Sequence, residues 1–253
     1  MELNLKDKVA LVTGGSRGLG RAICTALAAE GAHVAVNCAR GRDCAEEAVA
    51  EIQQAHGAHA VVVMADVAVE QQVEDMFAQI DKALGRCDIL VNNAAISPTC
   101  KVVDMTAEMW RHTIDINLHG AFYCSRAFVR RLLAAGRPGR IVNIASQAAF
   151  RGSTTGHASY DASKGGVVSF TVALAREVAD KGIAVNAVAP GMIRTEMVER
   201  VLATNLEKYL SRIPLHRIAT PEEIANVVTF LASERASYMT GATVDVSGGM
   251  LMR

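Results

Sequence analysis

The sequence predicts an α/β fold built on a doubly wound parallel sheet of seven strands flanked by helices. Short apolar runs alternate with longer helical patterns over most of the 253 residues. The runs are almost wholly apolar, as in Ala60-Val61-Val62-Val63-Met64, which suits strands buried on both faces of a parallel sheet. The first run passes through a glycine-rich turn directly into a helical pattern, and repeated β-then-α units place ligands at the carboxyl ends of the strands. The length suits one large unit. With no linker, internal repeat or low-complexity segment, residues 1–253 read as a single domain.

In order along the chain, strands are expected at 8–13, 33–37, 59–64, 88–91, 140–145, 183–188 and 243–246. Helices are expected near 18–30, 42–55, 69–84, 107–134, 159–180 and 221–233. The first strand, Lys8-Val9-Ala10-Leu11-Val12, is rich in β-branched residues. The helix that follows holds good helix formers with apolar positions at helical spacing and closes at Gly31. Residues 191–220 break the rhythm, with polar, charged and helical patterns between a strand and a helix and no strand of their own. A long insertion at the carboxyl end of a strand is a candidate substrate lid.

Composition excludes several classes. Lys plus Arg and Asp plus Glu each total 26, so the net charge is zero and there is no electrostatic case for nucleic acid or an anionic membrane surface. No apolar run approaches the roughly 20 residues that span a bilayer. The amino terminus lacks the basic-then-apolar pattern of a signal peptide. The cysteines (Cys24, Cys38, Cys44, Cys87, Cys100 and Cys124) form no C-x-x-C pair or metal-ligand spacing. They read as reduced thiols of a cytoplasmic protein without a metal site.

Two stretches carry chemistry. In Thr13-Gly-Gly-Ser-Arg-Gly-Leu-Gly20, Gly14, Gly18 and Gly20 allow positive φ and a close approach of backbone to ligand. The N–H groups of the following helix then face an anion, and a nucleotide pyrophosphate is the expected occupant. Tyr160 and Lys164 lie four apart at the start of a helix and share a face. A cation near the phenol stabilises its phenolate and makes it usable as a general acid or base; a half-buried tyrosine beside a solvated lysine is the plainer alternative. Ser146 follows a buried strand, where its hydroxyl could bond a substrate oxygen or simply close a turn. Asn117 sits within a helical stretch it disfavours, kinking it, holding a water or making a core hydrogen bond.

The glycine loop, Asn92-Asn93-Ala94-Ala95, Asn117, Ser146, Tyr160-x-x-x-Lys164 and Pro190-Gly191 occur in one order at compatible distances. This set resembles the short-chain dehydrogenase/reductase family, in its roughly 250-residue form, over essentially the whole chain. The resemblance implies a Rossmann fold and an enzyme. Tyr160 would be the general acid or base, Lys164 would bind the nicotinamide ribose and depress the tyrosine pKa, Ser146 would orient the carbonyl, and Asn117 would hold a relay water. Gly14, Ser16, Gly18 and Gly20 would form the pyrophosphate turn, with Arg17 and Leu19 of the same loop also contacting the cofactor. Asp66 and Val67 would flank the adenine and Asn93, Ala94 and Ala95 would line the ribose, with Pro190, Gly191, Ile193 and Thr195 also contacting the cofactor. Two departures stand out: Ala95 where many relatives have Gly, and a Ser146-to-Tyr160 separation one residue longer than in many.

NAD-selective sites of this type place an acid at the end of the second strand. Here Asn37-Cys38 stands there, and Arg17 and Arg40 fall where a guanidinium could fork onto a 2′-phosphate, so NADP(H) is favoured over NAD(H), although Asp43 could serve as a displaced acid. Within the family the chain is most similar to 3-oxoacyl-[acyl-carrier-protein] reductases. Arg137 and Lys181 match basic positions where such reductases meet an acidic carrier protein. A sugar or polyol dehydrogenase is the alternative, with Ser153, Thr154, Thr155 and His157 available to bind hydroxyls. A cofactor-binding sensor without turnover is the other class, opposed by the intact proton-transfer set. Relatives imply a homotetramer through helices near 107–134 and 159–180 and the last strand.

Overall fold

The computed structural model describes residues 2–153, 155–194, 206–207 and 209–252. Its elements run β1 (Val9–Val12), α1 (Gly18–Ala29), β2 (His33–Cys38), α2 (Arg42–His56), β3 (Ala60–Met64), α3 (Glu70–Leu84), β4 (Ile89–Asn92), α4 (Ala107–Ile114), α5 (Gly120–Ala135), β5 (Gly139–Ile144), α6 (Ala148–Arg151), α7 (Ala158–Val178), β6 (Ile183–Pro190), α8 (Pro221–Ala232) and β7 (Thr243–Val246). The 7-stranded sheet has the order β3-β2-β1-β4-β5-β6-β7, and every pairing is parallel. The strand order reverses between β1 and β4, which opens a crevice at their carboxyl ends.

Alternation along β1 shows why these strands are apolar throughout. Ala10 and Val12 pack with Ile23 and Leu27 of α1 and with Ile224 and Leu231 of α8 on one face. Val9 and Leu11 pack with Phe77 and Ile80 of α3 and with Phe128 and Leu132 of α5 on the other. Both faces are covered by helices, so a polar residue on either would have to find a partner. Two that do are Asn92 and Asn143, adjacent in register on β4 and β5. Asn92 Nδ2 donates to Asn143 Oδ1 at 2.8 Å and to Ser125 Oγ of α5 at 3.0 Å, and Asn143 Nδ2 donates to Thr171 Oγ1 of α7 at 2.8 Å. This buried chain of amides ties the sheet to the two helices that flank the site.

The structure departs from the expected elements in three places. The single helix expected near 107–134 is two helices, α4 and α5, joined by a π-helical turn at Asp115–His119 that carries Asn117. A short helix, α6, lies between β5 and α7, where the sequence showed no helical period. The 191–220 segment holds a parallel bridge, Ile193 to Ala219, although no strand was expected there. Thr154, Thr195 and part of the expected lid (195–205 and 208) lie outside the described residues.

Candidate active site

The loop between β1 and α1 is fastened from two sides. The Gly14 N–H donates to Asn37 Oδ1 at 3.3 Å and the Gly15 N–H to Asn37 O at 2.8 Å. From β4, the Thr13 Oγ1 accepts from the N–H groups of Asn93 (2.9 Å) and Ala94 (3.0 Å). The Asn93 Nδ2 donates to the carbonyls of Thr13 (2.9 Å) and Gly14 (3.1 Å). Gly14 has φ of +62°, and Gly20 packs so tightly that a Cβ on it would collide with Gly14 O. Helix α1 begins at Gly18 with no side-chain cap and no acid in its first turn, so its N–H groups face the crevice unclaimed. A backbone pressed close by glycines at a helix N-terminus that no side chain caps suits a pyrophosphate. Ser16 is buried in this loop, Arg17 is exposed, and Leu19 packs on the core.

At the end of β2, Asn37 is buried, and its Nδ2 donates to Val63 O and Ala65 O at 3.1 Å each while its Oδ1 holds Gly14. Its amide joins β3 to the glycine loop and so supports the cradle. No carboxylate stands at this strand end among the described residues. The Arg17 guanidinium lies beside Gly41, whose added Cβ would be 3.8 Å from Arg17 Nη2. Arg17 and Arg42 both pull the Cys38 thiol pKa down, against a larger upward effect of burial, so positive charge gathers here. Arg42 is paired to Glu46 at 2.7 Å, whereas Arg40 is exposed on the same turn. After β3, Asp66 Oδ1 caps Ala68 N at 3.0 Å, and Val67 is buried against Gly120.

Across the crevice, Ser146 follows β5 and Tyr160 begins α7, and the Ser146 side chain lies close enough to the Tyr160 phenol to lower its pKa. The Ser146 Oγ accepts from Ala148 N at 3.1 Å, which fixes its rotamer. Lys164 is buried one turn along α7, with Nζ donating to Ile144 O at 2.6 Å and lying 5.7 Å from the Tyr160 ring centroid. Asn117 reaches in from the π-turn: its Oδ1 accepts from Ile96 N at 2.8 Å, and its Nδ2 donates to Ile96 O at 2.9 Å and Ser163 Oγ at 3.0 Å. The amide of Asn117 is therefore occupied in joining the post-β4 loop to α7. The π-turn that carries it leaves backbone groups out of the ordinary ladder. Pro190 ends β6 and Gly191 follows it; Gln147 N donates to Pro190 O at 3.0 Å, and Ile193 packs on the core.

Burial raises the Tyr160 pKa, the Ser146 side chain lowers it, and the Asp161 carboxylate raises it, leaving it above the ordinary phenol value. The Lys164 ammonium is directed at the Ile144 carbonyl. Burial pulls Lys164 itself from 10.5 down to about 8. A lysine that binds fewer protons folded than unfolded makes stability rise with pH across that interval. Wild type is expected to gain about 3 kcal/mol relative to Lys164→Met between the two pKa values. Urea unfolding of both proteins at pH 8 and pH 10.5 would measure this, and a constant difference between them would contradict it.

The rim of the site is polar. The His157 Nδ1 lies 3.3 Å from Ser97 Oγ and 3.2 Å from Pro98 O, and its Nε2 lies 3.4 Å from Thr99 Oγ1. Gln147, next to Ser146, has a buried Oε1 without a hydrogen-bond partner among the described residues. Gln147 and Asn143, the partner of Asn92, belong to no motif legible in the sequence. Asparagine within apolar strands was the available signal for Asn143, since Asn is depleted there. Arg137 and Lys181 are not at this edge. They precede β5 and β6 at the amino ends of the strands, and α7, with its 21 residues, carries the chain about 30 Å from Tyr160 to Lys181. Arg137 is paired with Asp88 at 3.1 Å and Lys181 with Asp180 at 2.8 Å. Within one chain they do not border the candidate site, because α7 runs antiparallel to the strands.

A family model described as enoyl-(acyl carrier protein) reductase matches residues 14–251. A 3-oxoacyl-[acyl-carrier-protein] reductase of Synechocystis sp. is 45% identical over 249 residues, covering 98% of each chain. One from Staphylococcus epidermidis is 42% identical over 246 residues, covering 97% of this chain and all (100%) of its own. Among solved structures, one from Agrobacterium tumefaciens, described as a 2-deoxy-d-gluconate 3-dehydrogenase with bound NADP, superposes with a TM-score of 0.90 at 40% identity over 100% of this chain and 99% of that one. A short-chain type dehydrogenase/reductase from Mycobacterium marinum superposes with a TM-score of 0.94 at 35% identity, over 100% of this chain and 98% of that one. With the parallel sheet, the glycine loop at its switch point and the Ser146–Tyr160–Lys164 arrangement, these likenesses make the chain an oxidoreductase of the short-chain dehydrogenase/reductase family.

Proposed function

We propose that the protein reduces a ketone to a secondary alcohol with NADP(H), and that its substrate is a 3-oxoacyl thioester, carried by an acyl carrier protein or a similar thiol. The observation that carries this reading is the pairing of the Ser146 and Tyr160 side chains at the carboxyl edge of the sheet, with the buried Lys164 one turn along α7 and the glycine loop across the crevice. Two hydroxyls converging on one point address a single oxygen, as a carbonyl requires. A bound nicotinamide would supply the hydride. Tyr160 would give its proton to the carbonyl oxygen as it becomes an alcohol, Ser146 would hold that oxygen by a hydrogen bond, and Lys164 would hold the ribose and bring positive charge toward the phenol. Asn117 shapes the π-turn whose carbonyl groups could hold a water behind Lys164. The 3-oxoacyl assignment is supported by the two reductases of Synechocystis and Staphylococcus at over 40% identity along nearly the full chain.

The NADP(H) preference rests on the missing acid after β2 and on Arg17 and Arg40 around it. Gly14, Ser16, Gly18, Leu19 and Gly20 would hold the pyrophosphate, Asp66 and Val67 the adenine side, Asn93 to Ala95 a ribose, and Pro190, Gly191, Ile193 and Thr195 the nicotinamide end. Arg17→Ala should raise KM for NADPH about 10- to 100-fold and change KM for NADH little, since one charge-assisted contact to phosphate contributes about 1.5–3 kcal/mol. Steady-state kinetics with both cofactors measure this; an equal loss for both would assign Arg17 to the shared pyrophosphate instead.

A second reading, oxidation of a sugar or polyol, is favoured by one observation: the unpaired Gln147 Oε1 beside Ser146, with the His157, Ser97 and Thr99 cluster at the rim. Initial rates with NADPH or NADH against acetoacetyl-CoA, a 3-oxoacyl carrier-protein conjugate and, in reverse, a panel of sugars and polyols separate the two. Fast NADPH-linked 3-oxoacyl reduction supports the proposal; faster sugar or polyol oxidation replaces it with the second reading. Phe122, Leu133 and Val172 of α5 and α7 expose apolar surface, which supports a homotetramer assembled through these helices in the cytoplasm. Light scattering after size-exclusion chromatography tests the assembly.

A further inference from the structure

Asp161 follows Tyr160 on the first turn of α7 and accepts two hydrogen bonds from one residue of the segment between α6 and α7. Ser153 N–H donates to Asp161 Oδ2 at 2.6 Å and Ser153 Oγ to Asp161 Oδ1 at 2.8 Å. The turn it grips includes Gly152, held at φ of +67°. The chain on either side of this turn is tied as well. The Arg151 Nη1 donates to Met250 O at 2.7 Å, and Cys100 N donates to Gly156 O at 2.7 Å. Of these ties, the Asp161 pair alone reaches the helical turn that carries Tyr160.

A carboxylate in this position has a cost. The phenol must support negative charge during proton transfer, and an anion on the neighbouring residue opposes that. The charged groups around Tyr160 are Lys164 and Asp161 of α7 and, when protonated, His157 at the start of that helix; from the β5 side it meets the uncharged Ser146. Beside Lys164, Asp161 is the unfavourable charge, so its contribution must come through the segment it grips. Charge-assisted bonds at a helix N-terminus are the strong kind, and two on one residue fix both the position and the tilt of the turn.

We propose that Asp161 is a positioning residue for the oxidoreductase reaction: through Ser153 it locks the Gly152–Ser153 turn against the Tyr160 turn and so sets the substrate side of the site. The inference rests on the Tyr160 site as read above, but not on which ketone or alcohol it takes.

The test compares wild type, Asp161→Asn, Asp161→Glu and Ser153→Ala. Hydrogen exchange of peptides covering 148–157 is measured in the cofactor-saturated and cofactor-free proteins, so it reports even if no substrate on the panel is turned over. Asp161→Asn should speed exchange there about tenfold, with the rest of α7 unchanged, and Ser153→Ala should do so to a smaller extent. With any substrate that is turned over, Asp161→Asn should raise its KM about tenfold, leave KM for NADPH unchanged and move the pH profile of alcohol oxidation to lower pH. Ser153→Ala, which keeps the charge, should raise KM without moving the profile, and Asp161→Glu should recover part of the loss. Unchanged exchange and unchanged KM in Asp161→Asn would overturn the proposal. A shifted pH profile with unchanged exchange would also overturn it, leaving Asp161 a purely electrostatic neighbour. Failure of every substrate while exchange responds as expected would strike the proposed function alone.

Discussion

Tyr160→Phe is expected to lower kcat for ketone reduction by about two to four orders of magnitude while the Kd for NADPH stays within a few-fold of wild type. The phenyl ring keeps the packing of α7 and removes one oxygen, the one nearest the Ser146 side chain. Ser146 cannot take over the proton, because a serine hydroxyl does not ionise near neutrality and its Oγ accepts from the backbone N–H of Ala148, which resupplies none. The loss falls on kcat rather than on cofactor affinity because the glycine loop and Lys164 are untouched. Initial rates and a fluorescence titration with NADPH separate the two. A variant that binds NADPH normally and retains more than about a tenth of the rate would remove Tyr160 from the proton transfer. Wild type that binds NADPH yet turns over no carbonyl on a broad panel would favour a sensor over an enzyme.

Gly20→Ala should weaken NADPH binding by more than about 100-fold and destabilise the fold by about 2–3 kcal/mol. Helix propensity argues the other way, since alanine inside a helix is worth up to about 1 kcal/mol over glycine. The clash outweighs it. The new Cβ would stand 2.7 Å from Asn93 Nδ2 and closer still to Gly14 O. One neighbour is backbone and the other is an amide already holding two carbonyls, so neither can rotate away. Relief requires the cradle to open, which separates the N–H groups that would face a pyrophosphate. Gly165→Ala is the control: in α7 its nearest neighbour to an added Cβ is Ala149 O at 3.8 Å, so that variant should be neutral or slightly stabilising. Calorimetric titration with NADPH and thermal unfolding measure both, and equal behaviour of the two variants would show that the close Gly14–Gly20 approach is immaterial.

Every strand of the sheet was legible, with ends within a residue or two for most, because burial on both faces leaves an unbroken apolar run such as Ala60–Met64. The longest expected helix differs from the observed elements in one respect. Its 107–134 pattern is continuous in period, and only the bonds from Asn117 to Ile96, a loop 21 residues earlier, accompany the break at the π-turn. The i, i+4 relation of Tyr160 and Lys164 is local and can be read directly, as can the glycine loop.

Several properties lie beyond residue type. Type alone says that Asn37 is an amide and Arg137 a cation. What they do depends on what lies across space from them: the Val63 and Ala65 carbonyls on β3 for Asn37, the Asp88 carboxylate for Arg137. The Tyr160 pKa belongs with them, since burial and Asp161 push it up and the Lys164 ammonium is drawn off to Ile144 O.

By itself the sequence determined the alternation of strands and helices, the glycine turn and the set of proton-transfer groups, because period, φ freedom and spacing are properties of neighbouring residues. Only the tertiary structure decided the strand order that opens the crevice, the partners that consume Asn37 and Asn117, and the grip of Asp161 on Ser153. Those depend on desolvation and on hydrogen bonds between segments that the fold brings together, which no local pattern encodes.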